Sequence, residues 1–327
     1  MKHAIRRPTL AVLALLVAPA LLAPALGAQR QEASFQWQRR TTTIAYGAVP
    51  LGKHTLSELK SGDSWRLGMN EATTWQLAMP LLFGDSMLAP GQYRIALARD
   101  GETSASITVA GSGHALGGAD LRVPGTLGTS KDSTKKLAIE LKAAAPAKDA
   151  QPKDAQAEDS PSKPIAGGQS VAIDVHFGTD AWTGRVTALG GSTSTRLGGG
   201  WVLDVFAVPS ALVAARATKP IVAAAIHKRT PADGAPAGWN LVLAGSEARL
   251  VPWMVAPTAQ NGFGAVEPPA ESWITRGTCA ESATEVEEEA LELRDASGKA
   301  GQFTFTFASD RLQLEVAIAE PKAAKKN

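Results

Sequence analysis

Thr41-Thr42-Thr43-Ile44-Ala45-Tyr46 is β-branched and alternating, and it breaks at Gly47 and Pro50. A period of two sends successive side chains to opposite faces, so the stretch reads as a strand with one face buried. Working outward, the same rhythm recurs. Thr73-Thr74-Trp75-Gln76-Leu77 is the next strand, and Tyr93-Arg94-Ile95-Ala96-Leu97 follows a Pro90-Gly91 turn. Asp100-Gly101 turns the chain into Ser104 to Val109, which alternates polar and apolar, and Leu137 to Leu141 does likewise. Further on, Ile221 to Ile226 and Trp239 to Leu243 read as strands. Phe303-Thr304-Phe305-Thr306-Phe307 places three Phe on one face. Ser309-Asp310 then turns it into Leu312 to Val316, a hairpin with matching apolar faces. Helix is sparse: Ser210 is predicted to cap a short helix through Arg216, ended by Lys219-Pro220. Ser282 to Glu289 reads either as a solvated helical turn or as a charged strand. The expectation is a mainly β protein of two β-sandwich-like domains.

The N-terminus carries an export pattern. Lys2, Arg6 and Arg7 precede an apolar run from Leu10 to Leu26, and the small residues Gly27 and Ala28 follow. Cleavage is expected after Ala28, and Pro19 and Pro24 weaken the run as a membrane anchor. Pro8 directly follows Arg6-Arg7 and the rest of the twin-arginine pattern is missing; no Cys lies near the cut for a lipid anchor. No later stretch is apolar for long enough to span a bilayer. The mature chain is expected to be soluble and periplasmic or extracellular.

Ala143 to Ala166 differs in kind, being built from Ala, Lys, Asp, Gln, Ser and Pro with mixed charge. Such a segment buries too little apolar area to offset its ordering entropy, so 143–168 is expected to be disordered. Ser170 to Phe177 resumes a strand, and pairing of Leu137–Leu141 with Val171–Phe177 would make the segment an insertion in a hairpin. The expected division is signal 1–28, first β domain 34–189, second β domain 190–320 and basic tail 321–327. Ile107 to Ser112 echoes Leu241 to Ser246. Duplication and chance likeness between strands ending in Gly-Ser both account for it, and chance is preferred.

Composition narrows the chemistry. The 327 residues leave enough for two domains after a leader and a linker, and 44% hydrophobic content suffices for real cores. A net charge of +2, with no basic stripe among aromatics, argues against nucleic acid as a partner. Cys279 is the only cysteine, so no internal disulfide forms; a reactive thiol there is the lesser reading, since the sequence around it carries no pattern that would activate one.

Residues 34–141 resemble the domain-of-unknown-function family numbered 2911, a group of exported bacterial domains. The matching pieces are Thr43-Ile44-Ala45-Tyr46-Gly47, Trp65-Arg66 with Gly68, Asn70-Glu71-Ala72-Thr73-Thr74, and Leu88 with Pro90-Gly91-Gln92-Tyr93. This chain has Pro90-Gly91 where the family usually has Ala-Gly, and it lacks a basic, glycine-flanked piece between Tyr46 and Trp65. The resemblance implies an exported β domain and no agreed activity.

Read from their chemistry, Trp65 is a core anchor, and Gly68, Pro90, Gly91 and Tyr93 are structural. Arg66, Asn70, Glu71 and Thr73 are the binding candidates. Two readings stand. In one, an Arg66–Glu71 pair and Asn70 lock a loop that positions the strand starting at Thr73. In the other, the same groups line a ligand site at the sheet's end.

Other chemistries fit poorly. His3, His54, His114, His176 and His227 are scattered, and Asp174 with His176 reads as a solvent-facing strand pair rather than a metal site. No Gly-x-Ser-x-Gly elbow or P-loop occurs, Gly198–Gly200 reads as a flexible turn, and Glu285–Glu289 as a solvated face. Eight Trp against two Tyr leave a sugar or peptide platform open, though strand indoles are more often core. No catalytic residue, metal or cofactor is assigned. The expected function is a non-catalytic exported binding or structural module, with an envelope polysaccharide or protein as partner. The alternative is an extracytoplasmic hydrolase using Arg66, Asn70 and Glu71 with His54 or His114 nearby.

Overall fold

The structure, a computed structural model, describes residues 30–52, 55–84, 86–110, 121–144, 168–196, 201–228, 238–252, 275–281, 290–294, 302–309 and 312–319. The protein is mainly β, with two antiparallel sheets. Ten strands build the first: β1 (Arg30–Trp37), β2 (Arg40–Gly47), β3 (Ser64–Trp65), β4 (Thr74–Leu77), β5 (Leu81–Phe83), β6 (Ser86–Leu88), β7 (Gly91–Arg99), β8 (Ser104–Ala110), β9 (Leu121–Ala143) and β10 (Gly168–Leu189). Their order is β1-β2-β4-β7-β8-β9-β10-β5-β6, with β3 beside β7.

The alternation in β2 does what its period requires. Thr42, Ile44 and Tyr46 are buried, and Trp75 of β4 donates its indole N–H to Thr42 Oγ1 at 2.8 Å. That bond removes the cost of burying both polar groups. A two-residue turn at Gln38-Arg39 joins β1 to β2, both residues in the left-handed region at φ 46° and 65°. Two left-handed residues match the twist of the flanking strands, although neither is the usual Asn or Gly.

The long β9–β10 ribbon folds the sheet over on itself. Ladder pairing slips on either side of Gly178, which sits at φ 67°. Thr183 Oγ1 reaches Asp174 Oδ1 within the same strand at 2.9 Å. Nine residues of straight strand would span roughly 30 Å, so β10 bends sharply there. The far half of the ribbon therefore lies over β2: Leu137 N donates to Val49 O and Leu51 N to Lys135 O, each at 2.8 Å, and Ile139 N donates to Tyr46 Oη at 3.2 Å. One apolar core fills the enclosed space, with Trp75, Tyr93 and Trp182 among its fully buried side chains. Leu141 pairs with Ile173 and Ile139 with Val175, the pairing expected of the hairpin. Ala143 and Gly168 are strand residues: the ladder runs past the apolar stretch to the Val171–Ala143 pair, and Ala144 N donates to Ser170 O at 2.9 Å just beyond it. The rest of the expected disordered segment, 145–167, lies outside the described residues.

The chain passes into the second sheet after Leu189. That sheet comprises β11 (Gly191–Arg196), β12 (Trp201–Phe206), β13 (Ile221–Lys228), β14 (Gly238–Ala244), β15 (Glu247–Pro252), β16 (Thr275–Glu281), β17 (Ala290–Arg294), β18 (Gln302–Ser309) and β19 (Leu312–Ala319). It runs as a meander to β16, then β19-β18-β17. Phe303, Phe305 and Phe307 stand opposite Ile318, Val316 and Leu314 in the ladder. The short helix spans Ser210–Ala214 with Pro209, not Ser210, at its cap position and no side-chain cap bond. Proline's fixed φ supplies the entry that a capping hydroxyl was expected to supply. Ser282–Glu289, Lys322–Lys326, His54, His114, Trp253 and Trp273 lie outside the described residues.

The two sheets share a core. Leu82 and Met87 of the β5–β6 hairpin, with Ala89 and Leu189, are buried among Leu203, Val205, Ile221, Val222, Trp239 and Leu241. Ile221 to Ile226 and Gly238 to Leu243 are buried at every position, because both faces of β13 and β14 are covered.

Candidate functional site

The loop between β3 and β4 carries the binding candidates. Trp65 is half-buried rather than a full core anchor, its ring 5.5 Å from that of Phe177 at a 32° tilt. Beyond it Leu67 turns inward, fully buried at φ 55°. Gly68 and Gly47 then let two backbones meet: a Cβ on Gly47 would strike the Met69 carbonyl, and one on Gly68 would lie 2.9 Å from Thr73 Oγ1. Met69 N also donates to Gly47 O at 3.4 Å. Asn70, at φ 67°, is the central residue of a three-residue turn closed by Glu71 N donating to Met69 O at 3.0 Å. Asparagine tolerates this left-handed conformation better than most residues.

Three polar side chains of the loop, Arg66, Glu71 and Thr73, have partners within the protein. Thr73 is buried and donates its hydroxyl to Leu67 O at 2.8 Å, while its own carbonyl accepts from Ile95 N of β7 at 3.0 Å. Arg66 Nε donates to Gly68 O at 3.1 Å. Glu71 does not pair with Arg66. Its Oε2 meets Arg30 of β1 at 2.6 Å, and Arg30 also donates to Thr74 Oγ1 at 2.9 Å and to the Ala45 and Ala72 carbonyls at 3.3 and 3.4 Å. The turn at Asn70 swings Glu71 away from Arg66 and toward the open end of the β1–β2 hairpin. Asn70 itself is exposed.

The second motif, Leu88 to Tyr93, lies at the seam between the sheets. Tyr93 is buried and donates its phenol to Ala89 O at 2.8 Å, and burial pushes its pKa up. Gly91 opens β7 at φ 154°. The Pro90 carbonyl accepts from Asn240 Nδ2 of β14 at 2.8 Å, and Val222 N of β13 donates to Met87 Sδ at 3.0 Å.

A buried ionic cluster completes the seam. Arg40 of β2 meets Asp204 Oδ1 of β12 at 2.6 Å and stacks over the Phe206 ring at 5.9 Å. His227 Nε2 of β13 lies 3.0 Å from Asp204 Oδ2. Burial of the Asp204 carboxyl works to raise its pKa, but hydrogen bonds from His227 and Arg40, the Arg40 charge and a bond from Ser194 outweigh it. The result holds Asp204 down to about 2. Gly190 and Gly191 leave room for this approach: a Cβ on either would strike Gln38 or Arg40. Arg30, Arg40 and Asp204 carry no local motif, so reading the chain missed them. The one signal was a charged residue inside a continuous apolar run, as Asp204 is in Trp201-Val202-Leu203-Asp204-Val205-Phe206.

Asp174 and His176 do not form a free-standing pair: Asp174 is bonded to Thr183 and lies 3.5 Å from Lys142 Nζ. Trp75, Trp182 and Trp239 are buried, and Leu51 is the one large hydrophobic exposed among the described residues. No group of three or more His, Cys, Asp or Glu that could hold a metal ion occurs among the described residues. No described helix is long and apolar enough to cross a membrane. Comparison with protein-family models, curated proteins and solved structures gives no match.

Proposed function

We propose that this chain is a non-catalytic, exported β module of the cell envelope or exterior that serves binding or structure. One observation carries the reading. Arg66, Glu71 and Thr73 are bonded to Gly68 O, Arg30 and Leu67 O, so the groups that would bind or activate a substrate are engaged in holding their own loop. The leader-like residues 1–28 support export, as does the likeness of residues 34–141 to the exported family numbered 2911. The partner class that suits such a module is an envelope polysaccharide or protein. The test is a screen of residues 29–327 against glycan and peptide arrays, with product release followed in parallel. Saturable binding without turnover is expected. Turnover abolished by substitution of Arg66, Asn70 or Glu71 would replace this reading with that of a hydrolase.

A further inference from the structure

The Arg30 clamp stands where the leader ends. Arg30 pairs with Gly47 in the last rung of the β1–β2 ladder. Its guanidinium bridges the Glu71 carboxylate, the Thr74 hydroxyl and the carbonyls of Ala45 and Ala72. Gly47 is also where the Met69 backbone packs, so three segments converge on one point: the start of β1, the end of β2 and the Gly68–Thr74 loop. The bond expected to be cut, Ala28–Gln29, lies two residues before Arg30. Only Gln29 stands between that bond and the first paired residue of β1. A peptidase takes its substrate as an extended, unpaired strand on both sides of the scissile bond, and a residue already in a ladder cannot occupy that cleft.

We propose that the Gly68–Thr74 loop is the docking socket of the newly released N-terminus, so that leader removal and closure of β1 onto the socket exclude one another and closure comes second. The inference rests on the reading of residues 1–28 as a cleaved leader. It also gives the loop's Glu71 a task within the chain: it receives Arg30 rather than a ligand.

The experiment uses the full-length chain in detergent with a bacterial signal peptidase, added either to the folded precursor or to precursor unfolded in urea and diluted into enzyme. Product is followed by gel and its N-terminus sequenced. The unfolded precursor is expected to yield a product beginning at Gln29, while the folded precursor is cut slowly, through transient opening of the clamp. Arg30→Ala and Glu71→Gln should each speed cutting of the folded precursor by about three- to tenfold, since cleavage follows the population of the open state. Unchanged tryptophan emission in both variants would show that they fold. Equal cutting of folded wild-type, Arg30→Ala and Glu71→Gln precursors would overturn the socket. Failure to cut even the unfolded precursor near Ala28 would overturn the leader reading, and the socket with it.

Discussion

Replacing Arg40 by Met tests whether the seam is held by charge. The methionine supplies an apolar stem but removes the guanidinium over Phe206, and it strands the Asp204 carboxylate in a buried place with only His227 and Ser194 beside it. Removing one partner of a buried pair costs on the order of 3–5 kcal/mol, mostly the penalty of the charge left behind. The remaining bonds place this site at the low end. Asp204 itself bears on this: its bonds to His227, Arg40 and Ser194 outweigh burial and hold its pKa from 3.8 down to about 2 on folding. At about 1.36 kcal/mol per unit, that drop is worth roughly 2–3 kcal/mol for all the bonds to Asp204 together, His227 and Ser194 included. A loss of about 2–3 kcal/mol is expected for Arg40→Met. The assay is urea unfolding at pH 7 followed by tryptophan emission, repeated down to pH 2. Because the folded pKa is the lower one, the wild type's stabilisation by Asp204 is fully present above about pH 5 and is lost as pH falls through 4 toward 2. The gap between wild type and Asp204→Asn should therefore close over that window. A loss below about 0.5 kcal/mol for Arg40→Met, or a gap independent of pH, would refute the reasoning, since surface pairs are worth no more than that.

Three further outcomes follow from the loop and the core. Asn70→Ala should lower stability by about 1 kcal/mol while Asn70→Gly is nearly neutral, because the position is left-handed; equal melting temperatures for both would remove the loop-locking account. Thr73→Val keeps the shape but leaves the buried Leu67 carbonyl without its donor, at a cost of about 1–3 kcal/mol, read by chemical denaturation. Gly184→Ala places a methyl on the Trp182 ring, which lies across Gly125 and Gly184; about 1–3 kcal/mol of destabilisation and a shift in tryptophan emission are expected.

Much of the first sheet is legible in local pattern. Thr41–Tyr46, Tyr93–Leu97 and Ser104–Val109 are strands because a period of two can satisfy burial only in an extended backbone, and turn residues mark where they stop. The loop at Asn70 is less legible. Its residue types announced a polar network, but the partner of Glu71 depends on which strand end arrives beside it, and Arg30 is 41 residues away along the chain. The seam is less legible still. Arg40 and Asp204 are separated by 164 residues, and nothing near either names the other.

The division has a physical reason. Periodicity and turn chemistry are properties of neighbouring residues, so they can be read along the chain before any contact forms. The bend at Gly178, the sharing of the β5–β6 hairpin with the second core, and the choice of Arg30 and Arg40 as ion partners arise only when distant segments exclude water together. At that point burial makes an unpaired charge too costly to keep, and whichever opposite charge the fold brings within reach becomes its partner.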